Sequence, residues 1–302
     1  MAGKGDSLRT ILYALGANVG IFIAKSVAAA ITGSGAMLAE AVHSLADCGN
    51  QGLLLFGMKQ ARRPPTPDYP LGYGKEVYFW SFLVALMLFS VGGAFSVYEG
   101  IHKMLEPEPI ERPAIGVAVL AFSLALEWWS LRACLQEVNK TRGAQSLWRW
   151  FRDSRDSEMI VVFGEQLAAI LGLAAALLAV AVTLATGDPI YDAIGTLGIG
   201  VLLIVVAMFV AYEVKGLLIG QSVAPDRREA IRAWLGARPE ILEIFNVITL
   251  QLGQDVLVAV QARLDGNLRA DALVATINAI EVELRRAFPD VKWSFFEPDD
   301  SP

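Results

Sequence analysis

The sequence predicts an α-helical membrane protein, with six transmembrane helices followed by a small C-terminal α+β domain. Three observations predict this fold class. The chain is 55% hydrophobic and only 19% charged, whereas a soluble protein has about 25% charged residues. Six segments reach about 20 largely apolar residues, which is the length that crosses a bilayer. After about residue 222 the composition changes to that of a soluble domain.

The apolar segments are separated by polar connections, some of which contain helix-breaking residues. EPEPIERP separates the third segment from the fourth, and TGDPIYD separates the fifth from the sixth. Lys and Arg are concentrated before the first segment, after the second and after the fourth. By the positive-inside rule, both termini are predicted to be cytoplasmic. The predicted spans are residues 11–32, 35–60, 77–104, 114–135, 158–186 and 193–219.

The connection between the fourth and fifth spans, residues 136–157, contains three aromatic residues among arginines. They are Trp148, Trp150 and Phe151. This pattern favours either an interfacial helix on the cytoplasmic surface or a solvated loop with an aromatic anchor.

The C-terminal region, residues 223–302, alternates between helix and strand patterns, and we separate it from a transmembrane domain formed by residues 1–222. Helices are predicted over 226–238 and 270–288. The order αββαβ suits a ferredoxin-like α+β domain with helices on one face of a sheet. The region contains no His and no Cys, so it offers no obvious soft-metal site. The predicted strands are 243–251, 255–264 and 291–297.

The second span carries a stripe of polar residues along one helical face. Glu40, His43, Asp47 and Asn50 follow one another at intervals of three or four residues. Ionisable groups at membrane depth are expensive, so they normally face the bundle interior and mark an ion or proton path. The imidazole of His43 and the carboxylate of Asp47 can both reach one divalent cation. A purely structural stripe of hydrogen-bonded interior groups is the alternative.

Two further carboxylates lie inside predicted spans, at a depth near that of Asp47. Glu127 is in the fourth span, and Glu165 is followed by Gln166 in the fifth. We expect that no Lys or Arg side chain neutralises these acids, so each needs a metal ion or a proton. Exchange of a cation for protons requires a site of this kind. For Glu127, a protonated carboxyl group bonded between helices is the alternative.

These pieces, in this order, resemble the cation diffusion facilitator family. The resemblance is carried by six spans, by HSLAD at 43–47 and by the C-terminal αββαβ order. GYGKEVYFW at 72–80, YEGIHKMLEPEPI at 98–110 and YDAIGTLGIG at 191–200 are similar to the zinc transporter 9-like branch. The resemblance implies a homodimer that exports a divalent metal from the cytoplasm by proton antiport. It also implies a transport site built from the second and fifth spans, and a cytoplasmic C-terminal domain that, without His, is expected mainly to dimerise and regulate.

Carried over by position, the resemblance assigns His43 and Asp47 to the second-span half of the site. In the fifth span, the family has a His or Asp followed four residues later by Asp. The matching positions here are Val162 and Gln166, so the chain departs from the family pattern. A site with one nitrogen and several oxygens is less selective for zinc and also admits manganese, iron or cobalt. The candidates for additional ligand oxygens are Glu165, Glu40, Glu127 and Asn50.

We therefore predict a secondary transporter rather than an enzyme, located as a multi-pass protein in a bacterial inner membrane. The predicted cargo is a divalent cation, with zinc favoured, exchanged for H⁺; no resident cofactor is expected. No nucleic-acid partner is expected, because the chain lacks a basic motif with interleaved aromatic residues. A cation channel using the same acidic stripe is the first alternative, although no repeated pore-loop pattern is present. An intramembrane metalloenzyme is the second alternative, and the HExxH motif is absent.

Overall fold

The computed structural model describes residues 6–32, 35–106, 113–265 and 268–301. Within these ranges, the side chains of residues 6, 7, 29, 32, 35–43 and 113 lie outside this description. Six long helical segments make up the membrane part of the described chain. They are α1 (Asp6–Thr32), α2 (Gly35–Ala61), a segment formed by α3 (Glu76–Met87), a π-helical stretch (Leu88–Ala94) and α4 (Phe95–Leu105), then α5 (Pro113–Arg142), α7 (Ser157–Thr186) and α8 (Ile190–Ile219).

Five stretches of the described chain are long and apolar enough to cross a bilayer, and they belong to five of these six segments. Helix α2 has 27 residues, as many as α1, and it packs between α1 and α3. It is also the helix that carries the polar stripe. The protein is therefore a multi-pass membrane protein, and the predicted six-span architecture is confirmed. The five apolar stretches are Leu8–Ala28, Glu76–Leu105, Ala114–Arg142, Ser157–Thr186 and Ile190–Ile219.

The arrangement of the helices brings α1, α2, α5 and α7 together around the middle of the bundle. Helix α1 packs against α2, α5 and α7, and α7 also packs against α5 and α8. Most of the buried side chains at these contacts are aliphatic, as the apolar periodicity of the spans requires. Polar side chains on the inward faces of the four helices are therefore brought close to one another inside the bundle.

The third span is packed closely against α8 through glycine. A Cβ atom on Gly200 would lie 2.6 Å from the backbone nitrogen of Val97, and one on Gly93 would lie 2.6 Å from Cγ1 of Ile204. Small residues allow this kind of close approach between membrane helices. The π-helical stretch Leu88–Ala94 lies within this packed region. Such stretches are often found at functional sites, and Leu88 lies beside the cavity described below.

The C-terminal part forms a three-stranded sheet with helices against one face. Its elements are α9 (Pro225–Gly236), β1 (Ile241–Leu252), β2 (Asp255–Leu264), α10 (Ala270–Ala287) and β3 (Val291–Pro298). Strand β2 is central, pairing antiparallel with β1 and parallel with β3. The predicted αββαβ order is confirmed. The alternating residues of β2 that enter the core are Val256, Val258, Val260, Ala262 and Leu264.

The turn between β1 and β2 docks onto the start of α3. The backbone N–H of Gly253 donates to the hydroxyl of Tyr78 at 2.8 Å. Gly253 has a φ of 66°, which favours glycine. A Cβ atom on Gly74 would lie 2.2 Å from the carbonyl oxygen of Leu252, so the two backbones are in direct contact. The C-terminal domain is thus attached to the membrane part at a second point besides its covalent link.

The aromatic connection 136–157 is divided among several elements rather than forming one interfacial helix. Helix α5 continues to Arg142, a turn follows, and α6 covers only Leu147–Asp153. Trp150 and Phe151 are buried and contact Phe163 of α7. Trp148 is 57% exposed. Two of the three aromatic residues therefore belong to the core, and Trp148 alone among them keeps a position suited to an interfacial anchor.

Replacing Gly200 by Ala is expected to lower the thermal stability of the purified protein. The added Cβ would collide with the backbone of α4, and overpacking of this kind costs about 1–3 kcal/mol. Gly198→Ala is the matched control, because a Cβ at that position of the same helix meets nothing within 4 Å. Thermal unfolding in detergent should separate the two variants. Equal melting temperatures would contradict the close contact between α4 and α8.

Candidate metal centre

A polar cavity of about 80 Å³ lies in the middle of the helix bundle. Its apolar wall includes Leu88, Ala169 and Leu203. The volume holds an ion together with a few water molecules, since one water needs about 10–15 Å³ of such space. The polar side chains around the cavity come from α1, α2, α5 and α7, and they are Asn18, Asp47, Gln51, Glu127, Glu165 and Gln166.

Three carboxylates reach this cavity from three different helices: Asp47 from α2, Glu127 from α5 and Glu165 from α7. Glu127 is only 4% exposed. Within the described part of the chain, neither Oε2 of Glu127 nor Oε1 of Glu165 has a hydrogen-bond partner. A buried carboxylate oxygen without a partner is costly, whether the loss is counted as desolvation or as a missing hydrogen bond. The cavity is therefore suited to receive a cation or protons.

The second oxygen of Glu165 is held by a hydrogen bond that the sequence analysis did not identify. Nε2 of Gln51 donates to Oε2 of Glu165 at 2.8 Å. Oε1 of Gln51 in turn accepts from Nδ2 of Asn18 at 3.0 Å. Gln51 lies four residues after Asp47, so the two side chains share a face of α2. This spacing was a usable signal for Gln51, and Asn18 could have been noticed as an amide inside the first apolar segment.

Gln166 lines the cavity, and its uncharged amide is a candidate ligand. Its side chain is 2% exposed, and its Oε1 finds no hydrogen-bond partner among the residues that the structure describes. Amide oxygens are ordinary ligands for hard cations. Val162, which stands one turn earlier in α7, is fully buried in the apolar core. Of the two fifth-span positions that the resemblance singles out, Gln166 alone supplies a polar atom.

Asn50 faces a different space from the other candidates. It lines a small pocket of about 10 Å³ between α2 and the π-helical stretch, together with Asp47, Met87 and Gly92. Asp47 and Leu88 border both this pocket and the larger cavity. Oδ1 of Asn50 has no partner among the described side chains and backbone. Asn50 thus lines this smaller pocket beside Asp47, and its side chain also acts on Glu165 of the main cavity through a hydrogen bond.

The side chains of Glu40 and His43 lie outside the described residues. Both positions belong to α2, in the two turns before Asp47. Among the side chains that are described, no three His, Cys, Asp or Glu residues stand together as a ready set of metal ligands. The carboxylates of the cavity therefore form an acidic lining in this conformation, and not a closed coordination shell.

The expectation that no Lys or Arg neutralises these acids is wrong in one respect. Lys25 of α1 is buried, with 7% exposure, and its positive charge acts on Glu127. Asp47 acts with the opposite sign on both Glu127 and Glu165. A buried lysine reduces the charge that a bound cation has to balance, because it already offsets part of one carboxylate. Its position inside the first apolar segment was a signal available in the sequence.

Comparison with known proteins relates this architecture to metal transport. Residues 11–219 match the family model described as cation efflux transmembrane domain. The chain is 34% identical over 283 residues to the proton-coupled zinc antiporter SLC30A9, mitochondrial, of Xenopus laevis, covering 93% of this chain and 49% of the relative. It is 32% identical over 223 residues to metal tolerance protein C4 of Arabidopsis thaliana, covering 72% of this chain and 48% of the relative.

A bacterial relative is aligned over most of both chains. The zinc transporter ZitB of Escherichia coli (strain K12) is 26% identical over 277 residues, covering 91% of this chain and 83% of the relative. The chain spans about half the length of the Xenopus and Arabidopsis relatives. On the match to residues 11–219 and the similarity to relatives over most of the chain, this protein belongs to the cation diffusion facilitator family, in its zinc transporter 9-like branch.

Proposed function

We propose that this protein exports a divalent metal cation from the cytoplasm in exchange for protons. Zinc is the favoured cargo, and manganese, iron and cobalt are the alternatives. The observation that carries the proposal is the buried cavity in which carboxylates from α2, α5 and α7 converge, with two of their oxygens lacking a partner in the described chain. The printed names of the relatives add support, since one is a proton-coupled zinc antiporter and another a zinc transporter.

The exchange follows from the cost of burying these acids. Metal ligands must be deprotonated to bind, so a metal ion and protons compete for the same oxygens. When the ion leaves, the carboxylates regain neutrality most cheaply by taking up protons. In the proposed site Asp47 and Glu165 are the carboxylate ligands, Gln166 adds an amide oxygen, and His43 adds a nitrogen. Glu127, Glu40 and Asn50 are the candidates for the remaining oxygens.

The ligand set also bears on the choice of metal. With one imidazole and several oxygens, the site lacks the soft ligands that favour zinc most strongly. The amide at Gln166 lowers the negative charge of the site by one relative to the Asp that the family resemblance implies. The proposed site is therefore more permissive than a nitrogen-rich zinc site, which is why three other first-row cations stay in the proposal.

We propose a division of labour between residues 1–222, which form the transport domain, and residues 223–302, which form a cytoplasmic domain for dimerisation and regulation. A row of residues across the uncovered face of the sheet supports a homodimer: Ile248 pairs with Ala259, which pairs with Phe295. Ile248 is 57% exposed and Phe295 is 56% exposed. Exposed apolar patches of this kind favour protein contacts.

The proposed location is a bacterial inner membrane, with both termini in the cytoplasm. The distribution of Lys and Arg among the connections supports this orientation. The alignment with ZitB over 83% of that bacterial protein supports the choice of membrane. A cation channel remains the second candidate, because the acidic cavity alone does not distinguish a pore from a carrier.

Substituting Asp47→Asn in proteoliposomes is expected to reduce zinc uptake at least tenfold, because one of the three cavity carboxylates is lost. Uptake is measured with a luminal zinc-sensitive dye in vesicles with an acidic lumen. Asp192→Asn is the matched control, since Asp192 lies in the first turn of α8, where it pairs with Lys103 at 3.1 Å. Uptake that survives Asp47→Asn, or that persists after nigericin has removed the pH gradient, would refute the proposal. Single-channel currents in a planar bilayer would favour the channel instead.

Substituting Gln166→Asp is expected to tighten zinc binding about tenfold, which corresponds to about 1.4 kcal/mol. The change places a carboxylate where an amide oxygen now faces the cavity. Gln166→Leu is expected to weaken binding, because it removes that oxygen while keeping most of the side-chain volume. Isothermal titration calorimetry with Zn²⁺ and Mn²⁺ gives both affinities. Wild-type affinity in both variants would exclude Gln166 from the ligand set.

A further inference from the structure

A chain of two hydrogen bonds connects three helices at the edge of the cavity. Asn18 of α1 donates to Gln51 of α2, and Gln51 donates to Glu165 of α7, at 3.0 and 2.8 Å. Asn18 is 7% exposed and Gln51 is 1% exposed, so the bond between them is buried, and the bond from Gln51 to Glu165 is partly buried. Hydrogen bonds in such surroundings are electrostatically stronger than in water, and losing one leaves a costly orphan.

The direction of each bond in this chain is determined by its carboxylate end. Glu165 has to be ionised when it binds a metal ion, and an ionised carboxylate only accepts hydrogen bonds, so Gln51 must then present its amide nitrogen to Glu165. The amide oxygen of Gln51 then faces Asn18, which has to supply a donor. An Asn at position 18 does so through Nδ2. Asn18 therefore selects the amide orientation in which Gln51 can serve Glu165.

The two oxygens of Glu165 consequently have different surroundings. Oε2 is occupied by Gln51, whereas Oε1 is buried without a partner in the described chain, and Glu165 lines the cavity. Side chains that hold a metal ligand from behind orient it and contribute to affinity. Gln51 also lies one turn after Asp47 on the same helix face, so this bond ties the helix of one proposed ligand to the side chain of another.

We infer that Gln51 is a positioning residue of the transport site, which holds Glu165 toward the cavity with an amide whose orientation is fixed by Asn18. This inference rests on the proposed function, in which Glu165 is a metal ligand. Through Asn18, α1 then contributes to the geometry of the transport site, although it supplies no proposed ligand. The specificity of the site for an ion size would then depend on the distance that Gln51 sets between α2 and α7.

The experiment compares three variants in the full-length protein. Gln51→Met keeps the length of the side chain but can neither donate nor accept a conventional hydrogen bond. Asn18→Asp keeps the shape of the side chain but replaces the donor by an acceptor, so the amide of Gln51 is driven to turn its nitrogen toward the new carboxylate and its oxygen toward Glu165. Asn18→Ala removes more atoms, yet leaves Gln51 free to keep its bond to Glu165.

The expected ranking separates positioning from packing. We expect Gln51→Met and Asn18→Asp to raise the KM for Zn²⁺ uptake, and the calorimetric Kd for Zn²⁺, about tenfold, with the maximal rate changed less than about threefold. Asn18→Ala should fall between wild type and Asn18→Asp in both constants, because it removes the donor that fixes the amide of Gln51 without drawing that amide away from Glu165. A residue that only fills space would give the opposite order, because alanine leaves a larger void than the isosteric aspartate. Asn139→Asp, at an exposed position near the end of α5, controls for the change in the net charge of the protein and should behave as wild type.

Wild-type KM and Kd in Asn18→Asp, or a larger defect in Asn18→Ala than in Asn18→Asp, would overturn the inference. Thermal unfolding of each variant is measured together with KM and Kd, so that only folded variants are compared. Failure of the proposed function would look different. It would show as Zn²⁺ uptake that is unaffected by Glu165→Gln and Asp47→Asn, whatever the behaviour of the Gln51 and Asn18 variants.

Discussion

The cost of placing carboxylates in a low-dielectric interior is the constraint on which the rest of the membrane part depends. Asp47, Glu127 and Glu165 converge from three helices, and their charges act on one another. Like charges at this depth are tolerated only if something offsets them. In the described structure part of the offset comes from the buried Lys25 and part from the amide of Gln51. The negative charge that remains can be neutralised by a dication or by protons.

This constraint explains why polar and apolar side chains are buried in different parts of the bundle. The apolar core lies mainly at one end of the bundle, around the fully buried Tyr78, Ile160 and Leu217. Backbone contacts through Gly93 and Gly200 fix the third span against α8. With these contacts made elsewhere, the inward faces of α1, α2, α5 and α7 are free to carry polar side chains. A cavity can persist there because the contacts that hold the helices together are made elsewhere in the bundle.

Sequence reasoning predicted the spans and the αββαβ order because their signals are local: apolar runs of bilayer length, and alternating patterns such as that of β2. It also named Glu127, Glu165 and Gln166, since acids and amides inside apolar runs are conspicuous. It did not foresee that Asn50 lines a second, smaller pocket beside Asp47, because which way a residue at the edge of a helix face turns depends on the neighbouring helix. It did not anticipate the π-helical stretch, and the role of Gln51 requires the partners on α1 and α7. Lys25 was overlooked although it was visible in the first apolar segment.

The contact between the β1–β2 turn and the start of α3 has a mechanical consequence. Helix α3 has 12 residues and so extends about 18 Å, from the turn at Gly253 to Leu88 beside the cavity. The backbones at Gly74 and Leu252 already touch, so the C-terminal domain cannot tilt toward α3 without pushing it along or away. In the proposed dimer, a rearrangement between the two C-terminal domains would therefore be transmitted through α3 to Leu88, about three helical turns away at the cavity wall.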